Sequence, residues 1–415
     1  MKNFILKLTP PFVLDAYHLA WAHGSAYWYG HPSRKMVVIG ITGTKGKSTT
    51  AELVRHMLAQ TGHTVALAST IRFMVGDAQE RNLFKMTMPG RGYIQKFLRQ
   101  ALDAGCTHAV VELTSEGALQ HRHAGLELNA LVFTNLAPEH IERHGSYEAY
   151  AAAKLSLAEH LSRSSKRPRI IVANADDEYG KDFLAVEAEK RAPFSLADAE
   201  PYTADDRSVR FLWRGTLFSI PLPGLFNLKN CLATLTLGEA LGLSTEKMKQ
   251  ALERVSPVAG RAQRIEQGQP FSVVVDYAHT PDSLRALYET YRNKRMICVL
   301  GSTGGGRDTW KRPEMGRIAD ELCDIAILTD EDPYDEDPLK IIEELSAGFS
   351  ARAPRVILDR RAAIAAAFAE AKDQDDVVLI TGKGTDPYIM GPKGTKVAWS
   401  DAQVAQEELI KLGYN

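Results

Sequence analysis

The chain has 415 residues, too many for one ordinary core and enough for two or three domains. A hydrophobic fraction of 45% and a charged fraction of 24% are those of a globular protein, which excludes disorder as the default. The 50 Lys and Arg nearly cancel the 51 Asp and Glu, which excludes a strong overall field toward nucleic acid and leaves any phosphate binding to be local.

The first segment, Phe4 to Tyr29, is rich in aromatic and aliphatic residues but is interrupted by Pro10, Pro11, Asp15, His18 and His23. It offers no apolar run of roughly 20 residues that could span a bilayer and no small-residue cleavage site. The expectation is a helix packed on the body, without stable membrane insertion, peripheral membrane contact being the alternative. From Met36 onward short β-branched runs alternate with helical patterns: MVVIGIT, a helix over Lys47 to Gln60, TVALAST, a helix near Gly90 to Ala104, HAVVELT and LNALVFTN. RIIVANAD and the pair SVRFLW and TLFSIPL follow, then helices at roughly Asn227 to Leu241 and Thr245 to Val255. Strand and helix taking turns predict an α/β fold with a mostly parallel sheet covered on both faces.

A second series, FSVVVDY, RMICVLG, DIAILTD, RVILD and DVVLITG, begins after Pro257 and predicts a second, Rossmann-like α/β domain. The Ser-Pro-Val-Ala-Gly break at Ser256 to Gly260 sets the boundary, giving an N-terminal segment over 1–35, a central domain over 36–256 and a C-terminal domain over 257–415. Cys106, Cys231, Cys298 and Cys323 stand singly with no metal-ligand spacing, and read as small core residues of a reducing compartment.

The sharpest local signal is GITGTKGKSTT, Gly40 to Thr50, between a buried strand and a helix. Gly43 and Gly46 let the amides around Thr44, Lys45 and Thr49 turn toward phosphate oxygens, the helix offers its positive end, Lys47 reaches the terminal phosphates and Ser48 can ligand magnesium. That pattern points to ATP-type nucleotide binding, although Ile41 stands where the common P-loop has its first glycine. Kinase, GTPase, transporter motor and ligase all remain open at this point.

Three later segments, VELTSEGAL, FTNLAPEHIERHGSYEAYAAAK and VVVDYAHTPDSL, stand in order with this loop. Together with MTMPGRG, ANADDEYG, GLFNLKN, VAGRAQRIE, KRPEMGR and ITGKG, they make the chain resemble the Mur ligase family, most of all its MurE branch, from about Met36 almost to the C-terminus. The resemblance implies a cytoplasmic, ATP- and magnesium-dependent ligase that joins an amino acid to a carboxylate acceptor, through an acyl phosphate, in peptidoglycan precursor synthesis. It implies that Glu112 and His140 are metal ligands with Ser48, and that Lys154 is a lysine modified by carbon dioxide to a carbamate. On the residues alone, a solvent-facing lysine on an Ala-rich helix is the stronger reading of Lys154. Asn227 and Asn230 would contact adenine by resemblance, or cap their helix on the bare reading. Arg261 would reach the ATP phosphates across the interdomain cleft, with Asp276 and His279 closing over the nucleotide.

Two departures qualify the resemblance. Fewer than forty residues precede the phosphate-loop strand, so the family's uridine-diphosphate-binding domain is expected to be missing, and the alternatives are an acceptor on a different carrier, an acceptor held by the central domain alone, or a partner protein in place of that domain. The segment that selects the amino acid reads Glu331-Asp332-Pro333-Tyr334, with Gly382-Lys383-Gly384-Thr385-Asp386 further on, so an arginine that would fork onto a substrate carboxylate is absent. Asp332, Asp335 and Asp386 are then expected to favour a cationic amine such as lysine. Thr87, Ser115, Asp332, Tyr334, Lys383 and Asp386 form the candidate substrate set. Competing readings are a folylpolyglutamate synthetase-like or poly-amino-acid ligase and, from another class, a nucleotide-binding scaffold without catalysis.

Overall fold

The structure, a computed structural model, describes residues 10–90, 92–139 and 141–415. In chain order the first sheet takes β1 (Val37–Thr42), β2 (Val65–Ala68), β3 (Arg72–Val75), β4 (Ala78–Arg81), β5 (His108–Glu112), β6 (Ala130–Phe133), β7 (Ile170–Asn174) and β8 (Lys190–Phe194). They assemble in the order β4-β3-β2-β5-β1-β6-β7-β8. From β2 to β8 every neighbour pairs parallel, whereas β3 and β4 fold back antiparallel at one edge. Central strands of a parallel sheet are covered on both faces and therefore read as unbroken apolar runs. Alternation divides those runs: Ile39 and Ile41 enter a core beneath the helices Lys47–Gln60 and Leu225–Ala240, while Val38 enters the opposite core with Phe97, Leu98 and Leu157.

A small antiparallel sheet of β9 (Tyr202–Ala204), β10 (Val209–Trp213) and β11 (Thr216–Ile220) extends the first core through Trp213 and Phe218. The second large sheet uses β12 (Gln263–Arg264), β13 (Ser272–Val275), β14 (Arg295–Leu300), β15 (Ile325–Leu328), β16 (Arg355–Val356) and β17 (Asp376–Ile380) in the order β12-β13-β17-β14-β15-β16. All its pairs are parallel except β12 with β13. A two-stranded ribbon, β18 (Tyr388–Met390) with β19 (Lys396–Ala398), follows. The expected α/β architecture with two mostly parallel sheets is observed, and the helix Lys47–Gln60 has the expected ends.

Several elements carry no signal of the kind the sequence reading used. β4 is Ala-Gln-Glu-Arg with every residue exposed, and β8 is a largely exposed edge, so neither shows an apolar alternation. The RVILD run keeps only Arg355 and Val356 in a strand, exposed at the sheet edge. The cysteines also differ from expectation. Cys298 in β14 and Cys323, just before the neighbouring β15, form a disulfide with Cα atoms 6.2 Å apart, while Cys106 and Cys231 are free and buried.

At the N-terminus a helix spans Pro11–Trp28 and lays Ala22, Ser25 and Ala26 on the body. The fit depends on two glycines: a Cβ at Gly92 would stand 2.6 Å from Ser25 Cβ, and one at Gly125 would stand 2.7 Å from the Ala22 carbonyl. No helix among the described residues is long and apolar enough to cross a membrane.

The C-terminal unit is locked by a buried ion pair. Arg360, 1% exposed, donates Nε and Nη2 to the two oxygens of Asp401, 0% exposed, at 2.8 and 2.7 Å, and Nη2 also reaches the Thr381 carbonyl. Removing one partner strands the other charge away from water. Arg360→Met is therefore expected to destabilise the protein by roughly 3–5 kcal/mol, and the double variant Arg360→Met, Asp401→Leu to recover part of that loss in urea denaturation. An unchanged midpoint for Arg360→Met would contradict this account.

Candidate active site

Between the two sheets lies a cleft of about 380 Å³, lined by the phosphate-binding loop of the first unit and by Arg261, Asp276, Tyr277, Ala278 and His279 of the second. The loop leaves β1, so the strand order puts it at the carboxyl end of the sheet, with β5 and β6 on either side of β1. Gly43 has φ 144° and a Cβ there would collide with Thr134 Oγ1; Gly46 has φ 80° and a Cβ there would collide with Asn230 Oδ1. Both positions thus require glycine for conformation and for space.

Lys47 Nζ sits in the hollow of the loop, 2.9 Å from the carbonyls of both Gly43 and Thr44. Burial lowers its pKa, and the carboxylates of Glu112 and Glu139 act in the opposite direction. No side chain caps the helix that Lys47 begins, and its first turn holds no acidic residue. With Lys45, Lys229, Arg261 and Arg307 on the cleft walls, this uncapped helix start offers the charge and N–H donors that a triphosphate requires.

The oxygen donors for magnesium fit in the same way. Glu112, at the end of β5, is fully buried; its carboxylate accepts from Thr70 N at 2.9 Å and Thr70 Oγ1 at 3.0 Å, and Ser48 also hydrogen-bonds to it. Burial pushes its pKa up against the pull of Lys47. Among the described residues no cluster of three or more His, Cys, Asp or Glu could hold a metal alone. Magnesium commonly takes one or two protein oxygens and completes its shell with phosphates and water, which the Ser48 and Glu112 pair suits. His140, the other expected ligand, lies outside the described residues.

Lys154 overturns the bare reading of a solvent-facing lysine. It is 2% exposed, on the inward side of the helix Tyr147–Ser162, and its Nζ donates to the Gly43 carbonyl at 2.8 Å. Two lysines, Lys47 and Lys154, therefore converge on one carbonyl. Burial, followed by the charge of Lys47, depresses the Lys154 pKa well below the usual lysine range.

The second unit reaches across the cleft at several points. Arg261 Nη2 donates to Ser48 Oγ at 3.4 Å and its guanidinium stacks 4.5 Å from the Tyr277 ring centre. Asp276, on the cleft wall, braces this turn, its carboxylate accepting from Ala262 N and Ala278 N, each at 2.6 Å. His279 Nε2 is 3.1 Å from Glu139 Oε1, and the other oxygen of Glu139 is 3.1 Å from Lys45 Nζ, so one carboxylate ties the phosphate loop to the second unit.

Of the two asparagines, Asn230 lines the cleft, with Oδ1 accepting from Thr50 Oγ1 at 3.3 Å and Nδ2 donating to Asn227 Oδ1 at 3.2 Å. Asn227 lies outside the lining and its amide donates to the Pro223 carbonyl at 2.8 Å. The helix begins at Leu225 behind Gly224, so neither asparagine is its cap.

The substrate set divides. Thr87, Ser115 and Asp386 line the cleft, whereas Asp332, Tyr334 and Lys383 do not. Asp332 and Asp386 are already paired with lysines, contrary to the expectation that they await a cationic amine. Lys383, 0% exposed, places Nζ 2.7 Å from Asp332 and 3.3 Å from Asp386, and Lys85 from the first unit places its own Nζ 2.7 and 3.1 Å from the same two carboxylates. Burial alone would raise the Asp386 pKa, but Lys383 and Lys85 together hold it low. Asp335 accepts from the Lys393 amide. The sequence reading missed Lys85, Arg122, Lys229 and Arg307 on the cleft wall. Lys85, Arg122 and Arg307 are single cations outside any quoted motif; MTMPGRG, which follows Lys85 directly, and GLFNLKN, which contains Lys229, were the hints at this wall.

The profile described as the Mur ligase middle domain matches residues 41–238, and the one described as the Mur ligase, glutamate ligase domain matches residues 260–384. The UDP-N-acetylmuramyl-tripeptide synthetase of Roseiflexus sp. (strain RS-1) is 39% identical, covering 95% of this chain and 83% of the relative. The UDP-N-acetylmuramoyl-L-alanyl-D-glutamate--2,6-diaminopimelate ligase of Gloeobacter violaceus is 38% identical, over 93% and 80% of the two chains. A solved structure of an enzyme with that second name superposes with a TM-score of 0.62 at 26% identity, over 96% of this chain and 84% of that one. Mycobacterium tuberculosis folylpolyglutamate synthase reaches a TM-score of 0.72 at 16% identity, over 89% and 93%, a likeness of fold.

Proposed function

This chain belongs to the Mur ligase family, and from that premise we propose that it is an ATP-dependent acid–amino-acid ligase of peptidoglycan precursor synthesis. The observation that carries the reading is the cleft in which the phosphate loop, Lys47 and Arg261 meet from two α/β units. A kinase or GTPase reading would leave the approach of Arg261 and the Glu139–His279 tie across the cleft without a purpose.

The acceptor would be the carboxylate of a muramoyl-peptide precursor, the substrate class in the relatives' names, and the incoming group an amino acid. The acceptor carboxylate attacks the γ-phosphorus of ATP, ADP leaves, and the amine then forms the C–N bond as phosphate departs and the nitrogen loses its proton. Lys47, Lys45, Arg261 and the helix start at Gly46 would hold the phosphates and stabilise charge on the transferring group. Ser48 and Glu112, with His140, would hold magnesium, which when bound supplies charge neutralisation at the phosphates. Thr87, Ser115 and Arg122 would orient the acceptor, and closure of residues 257–415 over residues 36–256 would exclude water from the acyl phosphate. Residues 1–35 then form an appended segment. Asn230, rather than Asn227, would approach the nucleotide, and the ATP requirement of the reading supports a cytoplasmic location.

Lys383, Lys85, Asp332 and Asp386 sum to no net charge, so the amino acid would be selected by fit and hydrogen bonding and not by a bare acidic pocket. Phosphate release with ATP, magnesium, UDP-muramoyl dipeptide and a panel of amino acids, with the product mass measured, tests the proposal. Release that requires both acceptor and amine, with the matching mass gain, is expected. Turnover indifferent to every acceptor and amine pair would instead favour the scaffold reading.

A further inference from the structure

The helix Pro11–Trp28 has an unusual surface. Its inner stripe of Ala22, Ser25 and Ala26 is committed to the body, yet the rest of it is also apolar: Phe12, Val13, Tyr17, Leu19, Trp21, Tyr27 and Trp28 are exposed, Tyr27 at 79% and Trp28 at 82%. The helix contains one Asp and no Glu, Lys or Arg. A helix that is apolar nearly all round is ordinarily covered on every side, and contiguous exposed aromatic surface of this kind marks a contact.

The C-terminal end of the helix indicates what the contact is. Arg34 and Lys35 are exposed just after it, Arg34 keeping 56% of its side chain in solvent beside Glu127. On the helix only Asp15 opposes these cations, and it lies 3.7 Å from His121. Tryptophan and tyrosine beside a basic flank match the boundary of an anionic bilayer, where the rings sit at headgroup level and the cations meet lipid phosphates. The whole chain carries a formal net charge of −1, so the attraction would come from this basic segment and not from the protein's overall field.

We propose that this face is a docking surface for an anionic lipid bilayer, on which the helix lies flat while the body remains in solution. The Gly92 and Gly125 contacts fix the helix to the wall that carries Met88 and Arg122, Arg122 donating to the Met88 carbonyl. Docking would therefore turn that side of the cleft toward the bilayer. Lipid binding itself stands independently of the ligase reading.

The test uses the full chain in flotation assays with vesicles of phosphatidylcholine alone or containing phosphatidylglycerol. Wild-type protein should float with the anionic vesicles, shift its tryptophan emission to the blue, and dissociate as salt is raised. The pair Trp21→Ser, Trp28→Ser, and separately Arg34→Glu, Lys35→Glu, should each weaken partitioning by about tenfold or more. These residues are exposed, and unchanged thermal melting would show that each variant remains folded; the charge pair lies outside the helix and so tests the surface even if the helical pair is destabilised. The proposal is overturned if wild-type protein stays in solution, if both pairs bind like wild type, or if the tryptophan pair abolishes a concentration-dependent dimer, which would assign the face to a second copy.

Discussion

Lys47→Ala should lower ATP-dependent phosphate release by roughly 10²- to 10³-fold or more, the scale on which one preorganised donor to a developing charge acts. The effect is expected in kcat as well as kcat/KM, because Nζ already lies in the hollow of the loop, 2.9 Å from two carbonyls, where on the proposed reading it would meet the charge developing on the transferring phosphate. Melting temperature should change little, since the lysine is buried at a cost and its removal relieves the repulsion with Lys154. Steady-state phosphate release beside a melting curve separates the two quantities. Near-normal turnover in a folded Lys47→Ala protein would remove the loop from the chemistry.

Lys154→Ala should also cost orders of magnitude, with a signature Lys47→Ala lacks: formate, acetate or propionate should restore part of the activity. Lys154 Nζ and Lys47 Nζ share the Gly43 carbonyl, and two ammonium groups so placed away from water repel strongly. Burial and the charge of Lys47 depress the Lys154 pKa, which favours the neutral amine, and a neutral amine is the form that attacks carbon dioxide, losing a proton as the carbamate forms. The product would be an anion, which would convert the repulsion with Lys47 into attraction and put negative charge beside the Gly43 carbonyl. A small carboxylate entering the space vacated by the side chain reproduces that anion. Full activity in Lys154→Ala would sink the carbamate assignment, and a dead enzyme that no carboxylate rescues would make the lysine a structural donor to Gly43.

Lys154 also shows why the candidate site was only partly legible. The sequence placed it on an Ala-rich helix, and neither its neighbours nor its spacing distinguished a surface lysine from one buried beneath the phosphate loop. Its burial follows from Tyr150 and Leu157 on the same helix, which face the core with it. Asp332 and Asp386 gave the opposite error. As a string they read as unpaired negative charge, but Lys85, some 250 residues away in the chain, folds onto both. Asn227 was read as a ligand contact and is consumed by Pro223.

What the sequence determined by itself was local and periodic. Alternating buried strands and helices specified two mostly parallel α/β units, and the Gly43 to Ser48 spacing specified a phosphate loop, because both follow from backbone geometry within a few residues. The tertiary structure alone decided which charges face each other: the pairing of Glu139 with Lys45 and His279, the neutral cluster at Asp332, the disulfide of Cys298 with Cys323 and the bare aromatic face of the first helix. Each of these depends on contacts between segments distant in the chain. Pairing energies of buried charges are set by distance and desolvation, and neither quantity is written in sequence order.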